Sequence, residues 1–362
     1  MPCAECSLTF PNTVQLSRHM ISGTCEGQLK AIAEAHAKQE QPLYEFDFFN
    51  DGRPRSSLDG SPWQSPGFEG GHHSAGGLGS LGVHFVRTKT DGDVLVLKQG
   101  DRSTATEYFC ARVLEKLQVP CPKMRVLSRR AWAAAATAAS QPFSPSPLHM
   151  IPYTVQGAGE VLAGARAQEA GGVMQSFAKG FTLKDPRVKD LLSHPSSAPS
   201  ILRDLGAMAA ADMLLNNFDR TPLIWDHEGN ANNFMFVTDN HVAAIDNSTA
   251  GITNEDGIER YLGRVQAALQ EALQHDAQGK HTAKVVHFIE KWTGLTLDAD
   301  SIRAFHDGLV DTARRAAHDL DLTRCWEESF DAFSSADWGA FGVDLINVPF
   351  LTTVQQSFQA AV

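Results

Sequence analysis

Apolar residues change their period along this chain, and the changes divide it. Residues 81–87 and 94–98 are short apolar or alternating runs, and Asp91-Gly92 between them is a hairpin-turn pair, so two antiparallel strands are predicted. The next segment, 103–117, takes helical spacing. Residues 119–127 return to extended chain, and 172–177 read as a further strand. Beyond residue 200 the helical period dominates, over 201–216, 258–275, 281–292 and 301–318, and a strand pair at 234–237 and 241–245 interrupts it. Strands first and helices later predict an α+β protein of two lobes, a small β-rich one followed by a helical one. Phe305, Phe333, Trp292, Trp326 and Phe330 fit the core of the helical part.

Other stretches break the pattern. Residues 29–40 read as a short helix. Residues 50–77 are rich in Gly, Pro, Ser and Asp without apolar periodicity, which predicts a linker or an ordered loop. At 131–152 an Ala run followed by PFSPSP looks like an insertion between two strands, and 194–200 is a short third interruption. The expected layout is an amino-terminal module over 1–28, a helix and linker over 29–75, a strand-rich lobe over 76–177 and a helical lobe over 178–362. No internal repeat is present.

Composition narrows the class. The 362 residues suffice for one large domain or two ordinary ones, and 43% hydrophobic with 20% charged residues exclude a wholly disordered chain. The formal net charge of -11 argues against broad, phosphate-led nucleic-acid binding but leaves room for a small basic groove. The longest apolar run, 131–139, is far short of the roughly 20 residues of a membrane span. The first residues lack the basic and apolar regions of a secretory signal. A soluble intracellular protein, cytoplasmic or nuclear, is expected; the oligomeric state is not written in the sequence.

Three of the six cysteines fall in the first 25 residues. Cys3 and Cys6 form C-x2-C, twelve residues separate Cys6 from His19, and five separate His19 from Cys25. Phe10 and Leu16 occupy the two miniature-core positions of a ββα finger. About 25 residues cannot fold on their own burial, so tetrahedral Zn²⁺ bonds would supply the folding energy. The segment resembles a Cys-Cys-His-Cys zinc finger with Cys3, Cys6, His19 and Cys25 as a closed, structural ligand set. With one Arg against Glu5 and Glu26 it is suited to protein contact or structure more than to DNA.

Candidate chemistry lies further along. Gly76-Gly77-Leu78-Gly79-Ser80-Leu81-Gly82 could let backbone N–H groups approach phosphate oxygens, although Gly-rich turns are commoner than nucleotide loops. Lys98 closes the apolar run Val94-Leu95-Val96-Leu97. It is either an ordinary strand-end lysine or a point charge for phosphates. Glu107 is either the capping-box partner of Thr104 or the carboxylate that holds Lys98; spacing alone favours the cap. Asp219 opens a loop after a helix. Asn233 and Asp246, thirteen positions apart, bound a hairpin that would bring an amide oxygen and a carboxylate together, a donor set suited to Mg²⁺. The plain alternative is that these are turn residues.

In order these are a Gly loop, Lys, Glu, then Asp, Asn, Asp, the order of a protein-kinase-like phosphotransferase. H-R-D, D-F-G and A-P-E are absent. Through TATEYFCARVL with PKMRV, NNFDRTPLIW with GNANN, and AIDN, residues 76–251 resemble the catalytic domain of the actin-fragmin kinase family, an atypical kinase fold. The resemblance implies an ATP-dependent, Ser/Thr-directed protein kinase with actin as a suggested substrate. Lys98 would hold the phosphates and Glu107 would orient it. Asp219 would take or steer the proton of the acceptor hydroxyl, and Arg220 would neutralise charge beside it. Asn233 and Asp246 would hold Mg²⁺. Gly79, Ser80 and Gly82 would line the phosphates, and Met174, Gln175 and Phe177 would form the hinge that bonds adenine. Thirteen residues separate Asp219 from Asn233, a longer interval than in ordinary kinases, so Asn230 and Asn232 compete with Asn233. Two other readings stand beside this one: a catalytically silent kinase-like scaffold with the finger as docking element, and a lipid or small-molecule kinase, which the acidic balance weakens. His281, His287 and His318 read as surface or boundary residues, and Cys110 and Cys121 as small buried hydrophobes.

Overall fold

A computed structural model describes residues 68–74, 83–88, 94–99, 102–128, 131–132, 172–176, 180–238, 240–336, 338 and 342–362. The chain divides into two units, Met1–Phe46 and Asp47–Val362. The whole first unit, and with it the zinc set Cys3, Cys6, His19 and Cys25, lies outside the described residues, as do Gly79, Ser80, Gly82, Phe177 and most of the 131–152 insertion.

The second unit opens with a five-stranded antiparallel sheet. Its strands are β1 (Phe68–Ser74), β2 (Val83–Thr88), β3 (Val94–Gln99), β4 (Met124–Leu127) and β5 (Gly172–Ser176), in the spatial order β1-β2-β3-β5-β4. Helix α1 (Arg102–Lys116) follows β3. Residues 128–171 all fall between β4 and β5, two strands paired directly, so the expected insertion sits where the sequence put it. Strand β1 is a correction to the linker or ordered loop expected over residues that include 68–74. The segment FEGGHHS has no apolar alternation because it is an edge strand, held by main-chain bonds to β2 that ask little of its side chains. The strand-rich part therefore begins at Phe68 rather than at residue 76.

Helices then take over: α2 (Arg187–Ser193), α3 (Ala198–Leu215), α4 (Glu255–Leu273), α5 (Lys280–Thr293), α6 (Ala299–His318), α7 (Leu322–Ser335) and α8 (Val348–Ala361). In a three-stranded sheet, β6 (Phe181–Thr182) precedes α2 in the chain, β7 (Phe234–Thr238) and β8 (His241–Ala244) lie between α3 and α4, and the spatial order is β6-β7-β8. The caps are legible as chemistry. Asn254, Asp298, Asp321 and Asn347 each accept a backbone N–H three residues on, from Gly257, Ser301, Arg324 and Phe350. Helix α3 is buried on nearly every side, and its run of Ala lets neighbours come close. Phe305 and Phe333 are core residues as expected, while Trp292, Trp326 and Phe330 pack against the core from partial burial.

Helices α3 and α6 approach backbone to backbone. A Cβ on Gly206 would lie 1.9 Å from the Phe305 carbonyl oxygen, and one on Gly308 would lie 2.0 Å from that of Arg203. Two glycines facing opposite backbones let the helices touch main chain to main chain. Either Gly206→Ala or Gly308→Ala is expected to lower unfolding stability by about 3 kcal/mol, read from the denaturant midpoint, because backbone cannot step aside as a side chain can.

Two histidines of this region are buried, and for one of them this is a correction. His281, read as a boundary residue, is buried and donates from Nδ1 to the Leu223 carbonyl at 2.8 Å. His306 is also buried, with Nε2 3.0 Å from Thr282 Oγ1. The Thr282 hydroxyl is itself spent on Glu271 at 3.2 Å, so His306 donates from Nε2. Burial, aided by His275 stacked beside it, holds His306 down at about 4. The unfolded chain binds this proton first, near pH 6.5. The stabilising contribution is therefore complete above 6.5 and fades as pH falls toward 4. The stability gap between wild type and His306→Gln, from melts across this window, is expected to narrow as the solution is acidified.

Candidate active site

Lys98 is the hub. Strand β3 is buried through Leu95, Val96 and Leu97, and Lys98 next in line extends its ammonium to two carboxylates. One is Glu107 of α1, 2.6 Å away. The other is Asp246, just past β8 and 148 positions on. Glu107 is thus the lysine's partner and not the capping-box residue that spacing favoured; Thr104 lies inside the first turn of a helix that already begins at Arg102. Burial alone would push the Lys98 ammonium toward neutrality. Glu107 and Asp246 outweigh it, and the pKa is raised, so the group stays charged.

Asp219 arrives by a different route. Helix α3 ends on Asn216 in the left-handed conformation (φ 51), where Asn is at little disadvantage. The Asn216 side chain donates to the Ala250 carbonyl at 2.8 Å and accepts from the Trp225 indole N–H at 2.9 Å. The chain so reversed presents Asp219, whose Oδ2 accepts from Asn233 Nδ2 at 2.6 Å and Asn230 Nδ2 at 3.1 Å. Asn233 closes a short 3₁₀ turn, Ala231–Asn233, and its carbonyl accepts from the Ile245 N–H at 3.2 Å. The β7–β8 hairpin thus brings Asn233 beside the residue that precedes Asp246.

The three asparagines separate on geometry. Asn232 is exposed. The Asn230 side-chain oxygen is spent as the turn's cap, accepting the Asn232 N–H at 3.1 Å. Asn233 is buried, with its amide nitrogen on Asp219 and its oxygen as the remaining acceptor. Hard oxygen donors are what Mg²⁺ takes, and Asn233 with the half-exposed Asp246 fits that donor set. Among the described residues no group of three or more His, Cys, Asp or Glu gathers to hold a metal.

Two expectations are corrected. Arg220, expected to neutralise charge beside Asp219, is fully buried and spends its guanidinium on Asp212 at 3.0 Å. Met174 and Gln175 lie in β5, enclosed by β3 on one side and β4 on the other. Their main chain belongs to the ladder on both sides. The interval after Asp219 forms bends and no strand ladder. Its base closes through the Asn230 N–H to the Arg220 carbonyl at 3.0 Å, and its tip is pinned to α5 by Lys284–Asp226 and Lys291–Glu228. His227, which the sequence did not single out, lies in this loop. Burial lowers its pKa, and Asp219 is near enough to oppose that shift.

Residues 173–313 match the family model of the actin-fragmin kinase catalytic domain. The matched region contains Asp219, Asn233 and Asp246 and begins after Lys98 and Glu107. It also runs beyond residue 251, where the sequence resemblance was drawn. A crystal structure of a putative aminoglycoside phosphotransferase from Ralstonia eutropha JMP134 is similar at 13% identity, over 85% of this chain and 96% of that chain, with a TM-score of 0.31. No curated protein matches the chain. The family match supports a kinase-like phosphotransferase.

Asn233→Ala is expected to lower stability by about 1–2 kcal/mol, because it withdraws a buried donor from Asp219, whereas Asn232→Ala stays within roughly 0.5 kcal/mol. Paired thermal melts check the contrast.

Proposed function

We propose that this chain is an ATP-dependent phosphotransferase of two-lobed kinase-like fold, acting on a Ser or Thr hydroxyl of a protein. Actin is the acceptor that the family suggests. One observation carries the reading: a single ammonium, Lys98, joins a carboxylate of α1 to one that follows the β7–β8 hairpin, with Asp219 tied to the other end of that hairpin. A structural ion pair needs only two partners. A lysine held between two carboxylates, with an amide and a third carboxylate close by, is built to meet a polyphosphate.

In this reading Lys98 binds the α- and β-phosphates as a point charge, and Glu107 fixes its position. Asn233 and Asp246 would hold Mg²⁺, which when bound offsets phosphate charge. Asp219 accepts the acceptor's hydroxyl proton as that oxygen bonds to the γ-phosphorus and the bond to the β-phosphate oxygen breaks, leaving ADP. Asn233 and Asn230 both donate to Oδ2 of Asp219, which turns the other oxygen toward the acceptor.

MgATP turnover with a panel of protein acceptors, actin included, tests the reading. Asp219→Asn and Asp246→Ala are each expected to cut kcat by about 10²–10⁴-fold, with Asp219→Asn melting normally and Asp246→Ala, which takes one carboxylate from Lys98, melting lower but still folded. Nucleotide binding with no transfer from wild type would identify a silent scaffold, and equal signal from wild type and Asp246→Ala would sink the assignment.

A further inference from the structure

Beneath Asp219 and Asp246 lies a buried polar cluster that none of the roles above uses. At its centre is Asp212, in the last turn of α3. Its Oδ1 accepts from Asn217 Nδ2 and Arg220 Nη1, both at 3.0 Å, and its Oδ2 from Thr221 Oγ1 at 3.3 Å. These three donors sit two residues before Asp219 and one and two residues after it, so the peptide that carries Asp219 is triangulated on one carboxylate. Asn217 adds a fourth tie, accepting the Asp219 N–H at 3.4 Å.

The same guanidinium reaches the other loop. Arg220 Nη2 donates to the Ile245 carbonyl at 3.1 Å and to Asn247 Oδ1, the residues on either side of Asp246. Asp246 itself is left-handed, at φ 50, a conformation that a non-glycine residue keeps only when its neighbours are held. Ser248 closes the ring by donating to Asn217 Oδ1 at 2.8 Å.

We propose that the Asp212–Arg220 pair is a positioning device, a buried latch that sets the place of Asp219 relative to Asp246. What those two carboxylates do rests on the functional reading above; the latch itself rests on the contacts. A fully buried ion pair is poor value as a source of stability, since desolvation cancels most of its attraction. What it supplies here is geometry: a planar fork with three acceptors, two of which flank one reactive carboxylate while the third anchors the other. Lysine, with one nitrogen, cannot span them.

The test uses the full chain and three variants: Asp212→Leu with Arg220→Met, Arg220→Lys, and Asn247→Ala. The apolar double variant separates position from stability, because replacing a buried pair by apolar residues of similar size is often neutral for folding. Melting close to wild type is expected, with kcat lowered by about 10²-fold or more and KM for MgATP raised by no more than the lost Mg²⁺ enhancement. Binding of a non-hydrolysable ATP analogue should survive without Mg²⁺ but lose most of its Mg²⁺ enhancement. Hydrogen exchange should quicken together at 217–221 and 244–248. Arg220→Lys should fail to rescue. If the double variant does not fold, Asn247→Ala, which removes one acceptor, carries the same pattern in weaker form. A kcat and a Mg²⁺ enhancement within twofold of wild type, or exchange that quickens in one loop alone, overturns the latch. A wild type that binds no nucleotide instead sinks the functional reading, and the paired exchange response still reports on the latch.

Discussion

An ammonium taken out of water must find counter-charge, and Lys98 finds it in two places that the chain keeps far apart. Glu107 comes from the helix that follows its own strand, and Asp246 from a turn 148 positions later. The five-stranded sheet, α1 and the β7–β8 hairpin therefore have to converge on one point. Remove the lysine and two carboxylates face one another without a cation between them. This requirement is electrostatic and is not met by apolar packing, which could hold the same elements in many relative positions. The three partners differ in exposure: Lys98 and Glu107 are mostly covered, whereas about half of the Asp246 side chain faces solvent. The covered pair is the fixed part, and the open carboxylate is the part able to take a further ligand.

Much of this was legible from residue order. Apolar period located β2, β3, α1, β5, α3, the β7–β8 hairpin and the long helices α4 to α6, because each of these buries a face that periodicity reports. Two of the elements that escaped are an edge strand and a very short one. Strand β1 is an edge strand of FEGGHHS, and β6 has two residues. Helix α8, VPFLTTVQQSFQAA, is rich in β-branched and small residues that do not announce a helix. It stands because Phe350, Leu351, Val354 and Phe358 are buried against its neighbours and Asn347 caps it.

Within the site, residue types were legible and partnerships were not. Glu107 illustrates the limit. Three positions after a threonine at a helix start, local spacing describes a capping box, and only a contact across nine residues decides for Lys98. Arg220 is the opposite case. Adjacent to Asp219 in the chain, it was read as acting on Asp219, yet alternate residues of a turn face different ways, and its side chain runs inward to Asp212. Asp212 carried no periodic or motif mark, being a lone carboxylate inside a buried helix. A buried acidic position on an Ala-rich helix is itself the hint, because such a charge is retained only with a partner.

The long interval between Asp219 and Asn233 looks at first like an objection to a kinase-like site. It is not, because an insertion matters only if it moves its ends. Here the ends are joined: the Asn230 N–H meets the Arg220 carbonyl, and both Asn230 and Asn233 return to Asp219. The looped-out part then spends its own residues on staying in place. Trp225 stacks on Tyr261 at 5.6 Å and bonds Asn216, while Lys284 and Lys291 hold the neighbouring acids. Closing a longer loop costs little extra entropy, since the cost grows only with the logarithm of length. Sequence spacing is therefore a weak guide to spatial separation wherever a loop is stapled at its base. In this chain the buried fork of Arg220, which grips the peptides on both sides, is a better measure of how far apart the two carboxylates stand.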